Sequence, residues 1–158
     1  MSATIFRGAL LIDPERDTPE QGDLCVSDGV ISREAANGAR VIDCAGLCLA
    51  PGIVDIGVKV SEPGERHKES FRTAGRAAAA GGITTMVTRP DTLPAIDQPE
   101  TLEFVTRRAA DAALVRVAHM AALTKGREGC EMVEIGLLSD AGAVAFTDCD
   151  RVVADPRI

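Results

Sequence analysis

The chain has 158 residues, 46% of them hydrophobic, and a formal net charge of −7. That is enough for a sizeable core in roughly one domain of ~100–200 residues. The acidic balance excludes a partner held through a phosphate backbone, which requires clustered Lys and Arg. No run of ~18 uncharged apolar residues is present for a membrane span, and MSATIFRGALLIDPERD lacks the basic-then-apolar pattern of a signal peptide, so a soluble cytoplasmic protein is expected.

Residues 1–52 read as a small β subdomain. TIFRGALLID is an apolar run ending at the turn-forming Asp13-Pro14, and GDLCVSDGVISREA is two short runs hinged at Asp28-Gly29, a two-residue hairpin signal. A third β stretch, RVIDCAGLCLAPG, closes at Pro51-Gly52. The five cysteines, Cys25, Cys44, Cys48, Cys130 and Cys149, form no CxxC pair and are odd in number, which points to free thiols in a reducing compartment.

From residue 53 to residue 158 strand and helix alternate. IVDIGVKV predicts a strand with Val54, Ile56, Val58 and Val60 on one face and Asp55, Gly57 and Lys59 on the other. HKESFRTAGRAAAAGG predicts a helix with Phe71, Ala74 and Ala78 on one side, stopped by Gly81-Gly82, and ITTMVTRP predicts a buried strand. Asp97 as N-cap, Pro99 in the first turn and Glu100 three residues on form a helix-start signature, with Leu102, Val105 and Ala109 as the apolar stripe. LVRVAHMAAL is a third strand, Arg127 to Ser139 a third helix, and GAVAF a fourth strand. The βαβαβαβ order implies parallel strands with helices outside.

Four such strands are about half of a closed (β/α)8 barrel, which needs roughly 250 residues. DRVVADPRI ends without a cap or closing element, so the expectation is a piece of a longer chain. The alternative is an open α/β layer whose edges close against another copy, and a homo-oligomer is expected.

The stretch APGIVDIGVKVSEPGERHKESFRTAGRAAAAGGITTMVTRPDTLPAIDQPE, followed by AALTKGREGCEMVEIGLLSDAGAVAFTD, resembles dihydroorotase of the amidohydrolase superfamily. The resemblance spans essentially the whole chain and is densest from Ala50 to Asp150. It implies the first half of a (β/α)8 barrel beside a small β domain, with zinc at the C-terminal mouth of the barrel in active members. The family's first strand reads PG-x-x-D-x-H-x-H-x-R-E-P-G. Here the two metal-binding histidines fall on Gly57 and Lys59, and the substrate-gripping arginine falls on Ser61. The family's M-P-N-T stretch is Arg89-Pro90-Asp91-Thr92, so a carboxylate replaces the substrate-holding asparagine. Asp55, Asp148 and Asp150 are the acids that could persist at the site, and either Asp148 or Asp150 can align with the family's acidic metal ligand.

These replacements bear directly on chemistry. Hydrolysing a cyclic amide requires a metal to polarise the carbonyl and lower the pKa of bound water from 15.7 toward ~7, which takes several ligands on one face. Glycine offers no ligand, and a protonated lysine has no lone pair and repels a dication. Lys59 is instead expected to pair with a carboxylate at the mouth, or, on the sharper reading, to act as a catalytic amine. His67 is expected as a solvated loop residue and His119 as a core histidine, with an inward-facing His119 as its alternative. The resemblance therefore implies a catalytically inactive homologue without a cofactor, supporting the aspartate transcarbamoylase catalytic chain in pyrimidine biosynthesis. The alternatives are an active metal-dependent cyclic-amide hydrolase with a rearranged site, and an independent interaction module.

Overall fold

The structure is a computed structural model that describes residues 3–32 and 38–158. It divides into two compact units, Met1–Pro51 and Gly52–Ile158. In the first, β1 (Ala3–Leu11), β2 (Glu20–Ser27), β3 (Val30–Ser32), β4 (Arg40–Asp43) and β5 (Cys48–Leu49) form one sheet in the order β3-β2-β1-β4, with β5 also paired to β1. The hairpin joining β2 to β3 turns at Asp28 (φ 49°) and Gly29 (φ 81°). Both residues are left-handed, as a two-residue turn matching the strands' twist requires. The end of the predicted hairpin run, residues 33–35, lies outside the described residues. The β1/β4 and β1/β5 pairings are parallel, which brings the RVIDCAGLCLAPG stretch back along β1.

In the second unit β6 (Ile53–Val58), β7 (Ile83–Thr88), β8 (Arg116–Ala121) and β9 (Ala143–Phe146) form an all-parallel sheet in chain order. Helices α1 (Phe71–Ala80), α2 (Pro99–Ala112) and α3 (Ile135–Asp140) connect them. The core packs one face of this sheet against the helices, through Phe71, Met86, Leu102, Val105, Ala121 and Leu138. Each is 1% exposed or less, and burying such a side chain contributes about 1.5–3 kcal/mol.

Three helix expectations are corrected at their ends. The first helix begins at Phe71 rather than His67, because Ser70 and Thr73 form a reciprocal capping box there. The second is capped at Gln98, not Asp97, whose carboxylate accepts the backbone N–H of Gly126 instead. The third shrinks to Ile135–Asp140, with a 3₁₀ turn over Lys125–Arg127 in place of its first part. Positive φ at Gly126, Arg127 and Gly129 is incompatible with continuous right-handed helix.

The first parallel strand also departs from expectation. Val54 and Ile56 are 56% and 70% exposed rather than buried, because they pair with Thr85 and Val87 on the face opposite the buried Met86, the face away from the helices. A register shift between Ile56 and Val58 makes Gly57 an extra residue, so simple alternation fails from there to Lys59.

Candidate functional site

In parallel α/β sheets, ligands bind at the carboxyl ends of the strands. Here those ends carry a cavity of about 480 Å³ lined by Ile56, Gly57, Arg89, Met120, Phe146 and Cys149, among others. Each strand contributes by running out at this level: β6 through its bulge, β7 into Arg89, and β9 into the turn at Thr147 to Asp150.

Gly57 sits at the cavity with φ +94°, and a Cβ built on it would meet nothing within 4 Å. Space for a side chain exists, but a non-glycine residue in that conformation carries about 1–3 kcal/mol of strain. Lys59 lies just beyond β6, and its Nζ stands 3.0 Å from Asp91 Oδ2. Arg89 Nη2 reaches the same oxygen at 3.1 Å. The Asp91 side chain is only 5% exposed, so two cations neutralise a nearly buried carboxylate. The lysine and the aspartate, each a departure from the family pattern, are thus each other's partner.

The other predicted acids separate. Asp148 is buried and is used up by the loop after β8: it accepts the backbone N–H groups of Leu123 and Thr124 and the Thr124 hydroxyl. Asp148 thereby clamps that loop. Asp150 lines the cavity, 75% exposed, with Arg127 Nη1 3.5 Å away. Its pKa lies below the usual carboxylate range, first through a backbone hydrogen bond and then through the charges of Arg127, Arg89 and Lys59, against desolvation. Asp55 is exposed on β6, and Ser61 is buried beyond it.

The two histidines sit elsewhere. His67 is exposed in the loop before α1. His119 is 2% exposed, with its Nδ1 2.7 Å from the Thr88 hydroxyl and its ring edge-on to Phe71 at 5.7 Å between centroids. It faces the helices, so the inward-facing alternative is set aside. Burial lowers its pKa to about 4, and its Nε2 has no hydrogen-bond partner among the described residues.

Sequence reasoning missed three mouth residues, Arg89, Arg127 and Cys149. Arg89 belongs to the Arg89-Pro90-Asp91-Thr92 stretch, of which the sequence singles out only the aspartate. Its pKa is raised, first by a hydrogen bond to the Cys149 side chain and then by the charges of Asp91, Cys149 and Asp150, against burial. Cys149 itself has φ 60°, an uncommon backbone for a side chain of any size.

The donors that the described residues bring to the mouth do not by themselves fit a catalytic metal. No group of three or more His, Cys, Asp or Glu side chains among the described residues could hold an ion. An ammonium and a guanidinium stand instead around the nearly buried Asp91 carboxylate. The arrangement can attract negative charge and offer N–H donors; it offers no lone-pair cage.

A parallel sheet with outer helices and a site at its carboxyl ends defines a segment of a (β/α)8 barrel. Residues 46–155 match the dihydro-orotase-like family. The chain belongs to that family. It is 36% identical over 159 residues to the dihydroorotase of Sulfurihydrogenibium sp., covering 98% of this chain and 38% of that protein. It is 40% identical over 149 residues to that of Endomicrobium trichonymphae, covering 94% of this chain and 35% of that protein. The chain thus spans well under half the length of these relatives. Among solved structures it is similar to the L-hydantoinase (dihydropyrimidinase) of Arthrobacter aurescens, with a TM-score of 0.78, 26% identity, and coverage of 92% of this chain and 32% of that one. The fold is accordingly α/β, part of an amidohydrolase TIM-type barrel preceded by a small β unit. No helix among the described residues is long and apolar enough to cross a membrane.

Proposed function

We propose that this chain is part of a noncatalytic dihydroorotase-like protein of pyrimidine biosynthesis. It acts in the cytoplasm as a structural partner of the aspartate transcarbamoylase catalytic chain, in an assembly containing several copies. The observation that carries the loss of catalysis is the Lys59 to Asp91 ion pair at 3.0 Å, which sets a charged pair where active members hold metal and substrate. Such a pair attracts neither a dication nor the polarised carbonyl that a dication would serve.

The test uses the longest intact form of the protein, purified without chelator, then offered zinc and assayed for dihydroorotate hydrolysis. The expected result is substoichiometric zinc and no metal-dependent turnover, with co-purification of the aspartate transcarbamoylase catalytic chain. Stoichiometric zinc with metal-dependent turnover sinks the reading. A second reading, an active cyclic-amide hydrolase with a rearranged site, draws support from relatives up to 40% identical that bear the name dihydroorotase. The same two assays decide between them.

A further inference from the structure

The helix side of the parallel sheet holds a buried titratable group that plays no part at the mouth. His119 is 2% exposed, its Nδ1 stands 2.7 Å from the Thr88 hydroxyl, and its buried Nε2 has no hydrogen-bond partner among the described residues. A neutral ring leaves that one nitrogen idle. An imidazolium makes both nitrogens donors and adds a charge, with no acceptor for the second N–H. Holding it there is costlier than leaving a neutral group unpaired.

No neighbouring charge offsets that cost. The side chains turned inward around His119 are Phe71 and Ala74 of α1, Leu102 and Val105 of α2, and Met86 and Thr88 of β7, with Ala143 of β9 its strand partner. None of these titrates. Arg72 and Arg76 of α1, Glu100, Glu103, Arg107 and Asp111 of α2, Arg116 of β8 and Asp140 of α3 are exposed, while Arg108 of α2 turns to Glu62. Burial is accordingly the cause that lowers the pKa of His119.

The element beside His119 with the narrowest hold on the sheet is α1. Its buried residues are Phe71, Ala74, Gly75 and Ala78, so its apolar anchorage is concentrated in its first side chain, whereas α2 buries Leu102 and Val105 along its middle. That first side chain is the ring that meets His119 edge-on at 5.7 Å. The Phe71 N–H is held by Glu62, and Glu62 keeps Arg108 and Arg66 when that bond opens. The first turn can therefore lift without leaving a buried carboxylate unpaired.

We propose that protonation of His119 releases the first turn of α1 from the sheet, together with the segment of residues 64–70 that leads into it, while α2 stays seated. Water reaching the opened turn supplies the acceptor that Nε2 lacks in the closed one. The open turn takes up a proton below about pH 6.5 and the closed turn only near pH 4, so acid favours the open form. The switch is a property of this unit's fold and does not rest on the partnership proposed above.

The test is hydrogen–deuterium exchange of the longest intact form, read by mass spectrometry at pH 6.5 and pH 5 and corrected for the intrinsic exchange rate at each. Protection over residues 71–78 is expected to fall about tenfold on acidification and to stay below that over residues 102–109 at both pH values. His119→Gln is expected to abolish the fall. His67→Gln, which removes the chain's other, exposed histidine, is expected to keep it. The proposal is overturned if protection over residues 71–78 does not fall, if the two segments are equally protected at pH 5 so that opening is global, or if the fall survives His119→Gln or vanishes in His67→Gln. The unsubstituted chain and His67→Gln decide the matter even where His119→Gln does not fold.

Discussion

The two faces of the parallel sheet obey different rules. On the helix side, Met86, His119 and Ala121 are 2% exposed or less and meet Phe71 and Leu102 across a closed core. On the cavity side, Ile56 is open and the polar groups are charged: Lys59, Arg89 and Asp91. The helix side is apolar throughout its core, while the cavity side carries the positions Gly57, Lys59 and Asp91 that differ from the pattern the resemblance implies. Gly57, Lys59 and Asp91 lie outside the apolar core, so residues at these positions can change without disturbing the packing that sets the fold. Stability and chemistry are thus separable in this unit, and substitutions on either face can try that separation.

The largest effect belongs to the closed face. Phe71 is 1% exposed and carries the edge contact to His119, so Phe71→Ala should cost about 3–5 kcal/mol in urea unfolding. Next comes Glu62, whose nearly buried carboxylate joins the end of the first strand to both long helices. It accepts the Phe71 backbone N–H at 3.0 Å and Arg108 at 2.9 and 3.1 Å, with Arg66 at 3.6 Å. Arg108→Met should cost about 2–3 kcal/mol, less than the ~3–5 of a fully buried pair, because Arg108 is 32% exposed and Arg66 remains. A cost below about 0.5 kcal/mol in denaturant melts would show that Glu62 is satisfied without Arg108.

His119 gives the closed face a pH dependence. Its folded pKa, about 4, lies below the ordinary 6.5, so the unfolded chain binds more protons between those values. Stability is therefore full above about pH 6.5 and declines as pH falls toward 4. Between pH 6.5 and 5 the native chain should lose about 2 kcal/mol more than His119→Gln, measured by chemical unfolding at each pH. Equal slopes in the two proteins would mean that the imidazole reaches water in the native state.

The sequence made one face legible and much of the other not. Apolar periodicity at Leu102, Val105 and Ala109 and the strand-helix alternation follow from local geometry, so the parallel order of β6 to β9 could be read directly. The family's strand pattern located Gly57 and Lys59 and its M-P-N-T stretch located Asp91, and a lysine in a metal ligand's place pointed to a carboxylate partner. What could not be read depends on contacts distant in sequence. Asp148 is spent on a loop 24 residues away, Asp97 on Gly126, and the bulge at Gly57 upsets the alternation that would have placed Lys59. Arg89 escapes notice because an arginine at a strand end reads as a solvated charge until its neighbours are known.

The smallest effect tests whether the open face contributes to folding at all. In Lys59→Met, Asp91 keeps Arg89 on the same oxygen, and Lys59 is more than half exposed, so the loss should stay below about 1 kcal/mol. Asp91→Asn removes the shared acceptor from two cations at once, and Arg89, only 30% exposed, then bears the larger part of the penalty. A double-mutant cycle isolates the pair: a Lys59–Asp91 coupling under about 1 kcal/mol keeps the mouth a site of charge placement with little hold on the fold. A coupling of about 3 kcal/mol or more would mean that the pair is a structural keystone. The replaced residues would then have been selected for folding, and the separation of the two faces would fail.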